Sequence, residues 1–213
     1  MHTIYNFVSG PLVWVAFILF IGGSLYRLIS LMVLVHRKEK FIYSYMSLKY
    51  SLRSIFRWST PFATENMRRH PVLTIVAFAF HICLILTPIF LLAHVILVEE
   101  AWNLSWWILP EGMAEIMTLI VIAACVFFLV RRLVQPEVQY VTSASDYILL
   151  AIVAAPFITG LLAYYQWFGY QTLLILHILS GEIMLVAIPF TRLSHMMFAP
   201  LTRAYMGSEF GGV

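Results

Sequence analysis

Charge is scarce in this sequence. Its 213 residues include 13 Lys and Arg and 10 Asp and Glu, 11% in all, against 62% hydrophobic residues. A water-soluble domain carries about a quarter charged residues, and a chain this apolar has more hydrophobic surface than one core can bury. Cysteine is scarcer still, with only Cys83 and Cys125, each inside an apolar stretch. Two thiols are too few for an iron–sulfur cluster held by this chain alone, and no C-x-x-C-H run offers covalent haem attachment. Both read as small core-filling side chains. There is also no phosphate loop, dinucleotide fingerprint, zinc-protease histidine pair, nucleophile elbow or internal repeat. These absences remove the common routes to nucleotide binding and hydrolysis.

What the chain has instead is long apolar runs. A bilayer core about 30 Å thick takes roughly 20 residues per helical span. Five stretches meet that length, near residues 12–35, 71–98, 113–130, 147–163 and 170–198. The expected fold is all-α: an integral membrane bundle of five transmembrane helices, forming a single membrane domain over residues 1–213. The first run reads as a retained helix and not as a cleaved leader, because it is long, lacks a basic region before it and is interrupted by Arg27.

Positive charge sets the expected orientation. The loop of residues 36–70 carries Arg37, Lys38, Lys40, Lys49, Arg53, Arg57, Arg68 and Arg69; Arg131 and Arg132 follow the third span, and the tail holds Arg192 and Arg203. The segment after the second span has Glu99, Glu100, Glu111 and Glu115 with no Lys or Arg, and the turn after the fourth span is uncharged. The N-terminus is therefore expected outside and the C-terminus in the cytoplasm. Trp14, Trp102, Trp106, Trp107 and Trp167 fall at the outer boundary, where interfacial aromatics collect. The basic loop reads as topology and lipid contact, not as a nucleic-acid surface. Within it, residues 43–58 mix apolar and basic side chains and suit a short helix on the inner surface, either an anchor or a dock for a cytoplasmic subunit.

Of seven histidines, His2, His36 and His70 lie at the chain start or beside basic loop residues, where ordinary solvation accounts for them. His81 and His94 fall in the second span and His177 and His195 in the fifth. Ionisable residues inside a bilayer are rare and usually functional. The second span runs outward and the fifth inward, so partners must match in height. On straight helices rising 1.5 Å per residue, His94 lies about 7 Å below Glu99 and His177 about 10 Å below Tyr170, which makes them level. His81 lies roughly 15 Å above Pro71 and His195 about 7 Å from Pro200, both in the inner half. Two stacked pairs result, about 20 Å apart along the second span and about 27 Å along the fifth, a difference that tilt or kinks at Pro88 and Pro189 would absorb. Imidazole is an ordinary axial ligand of haem iron, so each pair suits a b-type haem. Zinc would lack a third and fourth ligand, and a di-iron site would need Glu-x-x-His pairs that are absent. The alternative is a haem-free transporter or channel in which the histidines relay protons.

Residues 127–160 (FFLVRRLVQPEVQYVTSASDYILLAIVAAPFITG) and 176–200 (LHILSGEIMLVAIPFTRLSHMMFAP), with FIGGSLYR at Phe20 to Arg27 and AFHICLIL at Ala79 to Leu86, resemble the gamma subunit of respiratory nitrate reductase, a five-helix di-haem cytochrome b. The most specific features are His177 and His195 eighteen residues apart before a proline, and the R-R-L-x-x-P junction from Arg131 to Pro136. The resemblance implies two haem b groups: an inner one on His81 and His195, and an outer one with His177 as a ligand. The family's second histidine in the second helix falls at Leu91 here, and His94, one turn further on, takes its place as the fourth ligand. The longer inner loop and the lack of a lysine in the outer segment make the chain more similar to cytochrome b subunits of heterodisulfide-reductase-like and sulfate-respiration complexes.

The resemblance further implies a subunit of a prokaryotic inner-membrane complex. It would exchange electrons between menaquinone or another quinone and a cytoplasm-facing iron–sulfur subunit of the nitrate reductase beta-like or heterodisulfide-reductase-like kind, and it leaves room for a periplasmic multihaem cytochrome c. Arg27 is read either as a haem-propionate partner or as a cation snorkelling to the inner interface. His94, Glu99, Glu115 and Tyr164 are candidates to border a quinone, against the plainer reading of solvated interfacial side chains.

Overall fold

Apolar runs that must satisfy their own backbone in lipid have one local solution, the helix. A computed structural model describes residues 2–211, and among them every regular element is helical. In chain order the main ones are α1 (His2–Lys38), α2 (Leu48–Ser59), α3 (Pro71–Phe90), α4 (Leu92–Trp102), α5 (Glu111–Val134), α6 (Ala144–Tyr164), α7 (Tyr170–Phe190) and α8 (His195–Glu209). Of these, α1, α3, α5, α6 and α7 are long and apolar enough to cross a membrane. Ile18, Ile75, Ile116, Ile148 and Ile183 on them are each more than half exposed. Such surfaces are tolerable only against lipid, and the chain is a multi-pass membrane protein.

Three expected spans have different ends. The first begins about ten residues early, at His2, because a wide π-turn over Val8–Leu12 accommodates Pro11, which has no amide hydrogen to give the ladder. The second, expected unbroken near 71–98, stops at Phe90 and restarts at Leu92, with Leu91 extended at φ −71°, ψ 129°. The fifth, expected near 170–198, ends at Phe190. Thr191 is extended there, and its hydroxyl accepts from the Leu193 amide to start the short turn Arg192–Ser194. Pro88 and Pro189 lie three and two residues before these breaks, and each removes a hydrogen bond from the turn behind it. The heights estimated on straight helices therefore do not carry from His81 to His94 or from His177 to His195, and His195 is the first residue of α8, not part of the spanning helix.

The chain divides into two compact units. One comprises the chain up to Pro71 together with the segment from Gly181 onward. In it α2 lies on α8 through small residues. The Ser51 and Ser208 hydroxyls are 2.8 Å apart, Ser51 donates to the Ala204 carbonyl at 3.1 Å, and Ser208 receives the Ser47 amide at 3.1 Å. The Arg203 guanidinium sits 3.4 Å from the centre of the Trp58 ring. Within the same unit a side chain at Gly23 would press on Pro189 and Phe190 at 3.0 Å.

The other unit, Val72–Ser180, packs Phe80, Val121, Ala124, Val153 and Phe157 into its core with both cysteines, which are buried and free. Its α5–α6 connection is fixed by a Ser143–Asp146 capping box and by Arg132, which lies 3.6 Å from Asp146 and donates to Thr142.

Gly207 makes the closest approach in the α2–α8 seam. A Cβ there would collide with Ser54 and lie 2.6 Å from the Tyr50 carbonyl oxygen. Gly207→Ala is expected to lift α2 from α8 at a cost of about 1–3 kcal/mol. Limited proteolysis should then cut faster within residues 48–59 at unchanged helix content.

Candidate functional site

The break at Leu91 uncovers the carbonyls of the last turn of α3, and an uncovered carbonyl in lipid costs several kcal/mol. Each of three is answered by a different donor. Pro88 accepts from Nδ1 of His94 at 2.8 Å, Ile89 from the Trp106 indole at 2.8 Å, and Phe90 from the Leu109 amide at 2.9 Å. Leu91 in turn receives the His94 and Val95 amides, both at 3.0 Å, and so opens α4. The segment after α4 thus folds back to close the break, and His94 is one of the three caps.

His94 is half-buried, and its ring faces that of His177 on α7, with centroids 5.9 Å apart and planes 15° from parallel. That separation is too long for face-to-face packing. Nδ1 of His177 donates to the Pro156 carbonyl at 2.9 Å. The ring fits against α6 only because residue 160 is glycine: a Cβ there would stand 2.9 Å from Cε1 and 3.0 Å from Nδ1.

The same pattern recurs at the other two candidate histidines. His81, exposed on α3, contacts the Ala77 carbonyl through Nδ1 at 2.7 Å, and His195, exposed at the start of α8, contacts the Arg192 carbonyl through Nδ1 at 2.9 Å. A carbonyl can only accept, so all four rings carry the proton on Nδ1, and a neutral ring then has its lone pair on Nε2. Fixing one nitrogen to present the other is how proteins orient metal-binding histidines. Among the described residues no three His, Cys, Asp or Glu side chains converge to hold an ion.

The other expected residues lie as follows. The Arg27 guanidinium is 5.4 Å from the centre of the Phe198 ring, within cation–π range. Glu99 is exposed in the last turn of α4, and Tyr164 is exposed with its ring edge-on to Tyr165 at 5.3 Å. Glu115 is half-buried and accepts a hydrogen bond from the Tyr165 hydroxyl. That bond, chiefly, pushes the Tyr165 phenol above its ordinary value. Sequence reasoning missed Tyr165, Gly160, Trp106 and the carbonyls of Pro88 and Pro156. Only Pro88 signalled its role, as a helix breaker before a histidine.

Fold and site together define a multi-pass, all-α membrane protein with paired, oriented histidines inside one of its units. No family model matches the chain. A protein of Nitratidesulfovibrio vulgaris (strain ATCC 29579 / DSM 644 / CCUG 34227 / NCIMB 8303 / VKM B-1760 / Hildenborough), carrying only the generic name "Protein", is 35% identical over 210 residues, covering 97% of this chain and 93% of that one. The chain belongs to the same family as that protein, and the likeness runs nearly end to end.

If Trp106 closes the helix break, Trp106→Phe keeps the ring but leaves the Ile89 carbonyl uncapped. A loss of about 1–3 kcal/mol is expected. Amide hydrogen exchange should accelerate around residues 91–95 and be unchanged in α2 and α8.

Proposed function

We propose that this chain is the haem-bearing membrane subunit of a respiratory redox complex of the prokaryotic inner membrane. It would transfer electrons between menaquinone or another quinone and an iron–sulfur subunit docked on the cytoplasmic face. The observation that carries the reading is the His94–His177 pair: two rings from different helices, 5.9 Å between centroids, each with Nδ1 committed to a backbone carbonyl. In support stand the resemblance to nitrate reductase gamma-like cytochromes and the placing of basic residues on one side, which argues for an outer N-terminus and a cytoplasmic C-terminus.

Held between such imidazoles, a b-type haem supplies a one-electron couple whose iron need not leave its site. The work of the chain is to hold and orient. His94 and His177 are assigned to the outer group, with Gly160 leaving room for the second ring. His81 and His195 are assigned to the inner group on the sequence resemblance, and Arg27 to a propionate. Leu91 is the extended residue of the break, and His94 is the histidine of the helix that follows it, which supports the reading of His94 in place of position 91. Near the expected quinone end, beside the candidate Tyr164, Tyr165 and Glu115 form a phenol–carboxylate pair able to take or give a proton.

The test is spectroscopic. The purified protein is expected to show low-spin b-haem difference bands and two haems per chain by pyridine haemochrome. His94→Ala and His177→Ala should each remove, or convert to high spin, the same single haem, whereas His81→Ala or His195→Ala should disturb the other one. Gly160→Ala should shift the midpoint potential or spin state of the His177 haem alone. A colourless preparation from haem-replete cells would favour a transporter with a histidine proton relay. Two intact low-spin haems in His94→Ala would reassign the fourth ligand.

A further inference from the structure

Helix α2 divides its surface into three stripes. At about 100° per residue, side chains four apart stay within one narrow stripe. Ser51, Ser54 and Trp58 form the stripe turned to α8, where Ser51 and Ser54 are buried. Leu48, Leu52 and Phe56 form a second, which is 75%, 55% and 74% exposed. Lys49, Arg53 and Arg57 form the third, adjacent to the apolar one, and the helix contains no acidic residue. Of the cations, Lys49 reaches over Tyr50 at 5.9 Å and Arg57 donates to the Ala63 carbonyl at 3.4 Å. The seam to α8 fixes the roll of α2 about its axis, so the apolar and basic stripes are held outward together.

We propose that α2 is an interfacial helix that seats Leu48, Leu52 and Phe56 in the acyl–headgroup boundary of an anionic phospholipid bilayer, with Lys49, Arg53 and Arg57 on the lipid phosphates. A helix with an apolar stripe beside a cationic one, and no acid, is complementary to such a surface. Its position agrees. Residues 39–47 join it to the spanning helix α1, and nine residues reach no further than about 30 Å even when extended. A protein partner is the weaker fit, because three side chains fall well short of the roughly 800 Å² that each side of a stable protein interface contributes. The role is independent of the haems: α2 with α8 would clamp the basic end of this unit to the membrane surface and make its stability depend on lipid charge.

The full chain is reconstituted in nanodiscs of phosphatidylcholine alone or of phosphatidylcholine with phosphatidylglycerol. Nitroxide labels are placed at Leu48→Cys, Leu52→Cys, Phe56→Cys or Ser59→Cys, with Cys83 and Cys125 replaced by alanine. Labels at 48, 52 and 56 should be accessible to oxygen and shielded from a water-soluble nickel chelate, more so with phosphatidylglycerol. On the unaltered chain, amide exchange across residues 48–59 should slow in the anionic discs. Replacing Lys49, Arg53 and Arg57 by Gln should reverse that slowing by about 5-fold per cation removed. Nickel-accessible labels in both lipids, or exchange indifferent to lipid charge, would overturn the proposal. So would shielding that appears only when a cytoplasmic protein is added, which would make the stripe a protein dock.

Discussion

A polypeptide in hydrocarbon has no water to pair with its backbone, and that constraint orders the rest of this molecule. It makes the five long apolar runs helical, and it makes any interruption of them expensive unless every freed carbonyl finds a donor. At Leu91 the interruption is accommodated by three donors of different kinds: an imidazole, an indole and a backbone amide. At Thr191 the hydroxyl does part of the same work, donating to the Ala187 carbonyl as well as receiving the Leu193 amide.

The capping of α3 links local structure to chemistry. His94 is held where it is because its Nδ1 is needed by a carbonyl that the break exposed, and the same bond decides which ring nitrogen keeps its lone pair. His177 is oriented in the same way by the Pro156 carbonyl, in a space that glycine at 160 leaves open. In an unbroken second helix the Pro88 carbonyl would be taken up by the helix's own ladder and would not be free for His94. The break therefore acts as a positioning device for a side chain as well as a bend.

In the other unit the same economy of small residues serves packing. Ser51, Ser54, Gly207 and Ser208 let α2 and α8 approach closely, with hydroxyls bridging what would otherwise be bare backbone. Close approach on one side leaves α2 unable to rotate, which is why its leucines, phenylalanine and cations keep a fixed outward aspect.

Sequence alone determined the class of the molecule and its candidate residues. Apolar run length is a local property, so the five spans were legible, and with them His81 and His177, which lie inside two of them, whereas His94 and His195 fall on the helices that follow the breaks. What sequence could not supply was the path of the chain at its breaks. Pro88 and Pro189 announce a disturbance, yet whether a helix kinks or stops depends on donors brought from elsewhere, here Trp106 and Leu109 returning from the segment after α4. Nor could it reveal that Gly160 makes room for His177, that Tyr165 and not Tyr164 meets Glu115, or that His195 begins a new helix. Each of these is a contact between residues distant in the chain or on either side of a break. Such contacts are decided by tertiary packing, because a freed carbonyl or an open space has no signature until the partner that fills it is in place.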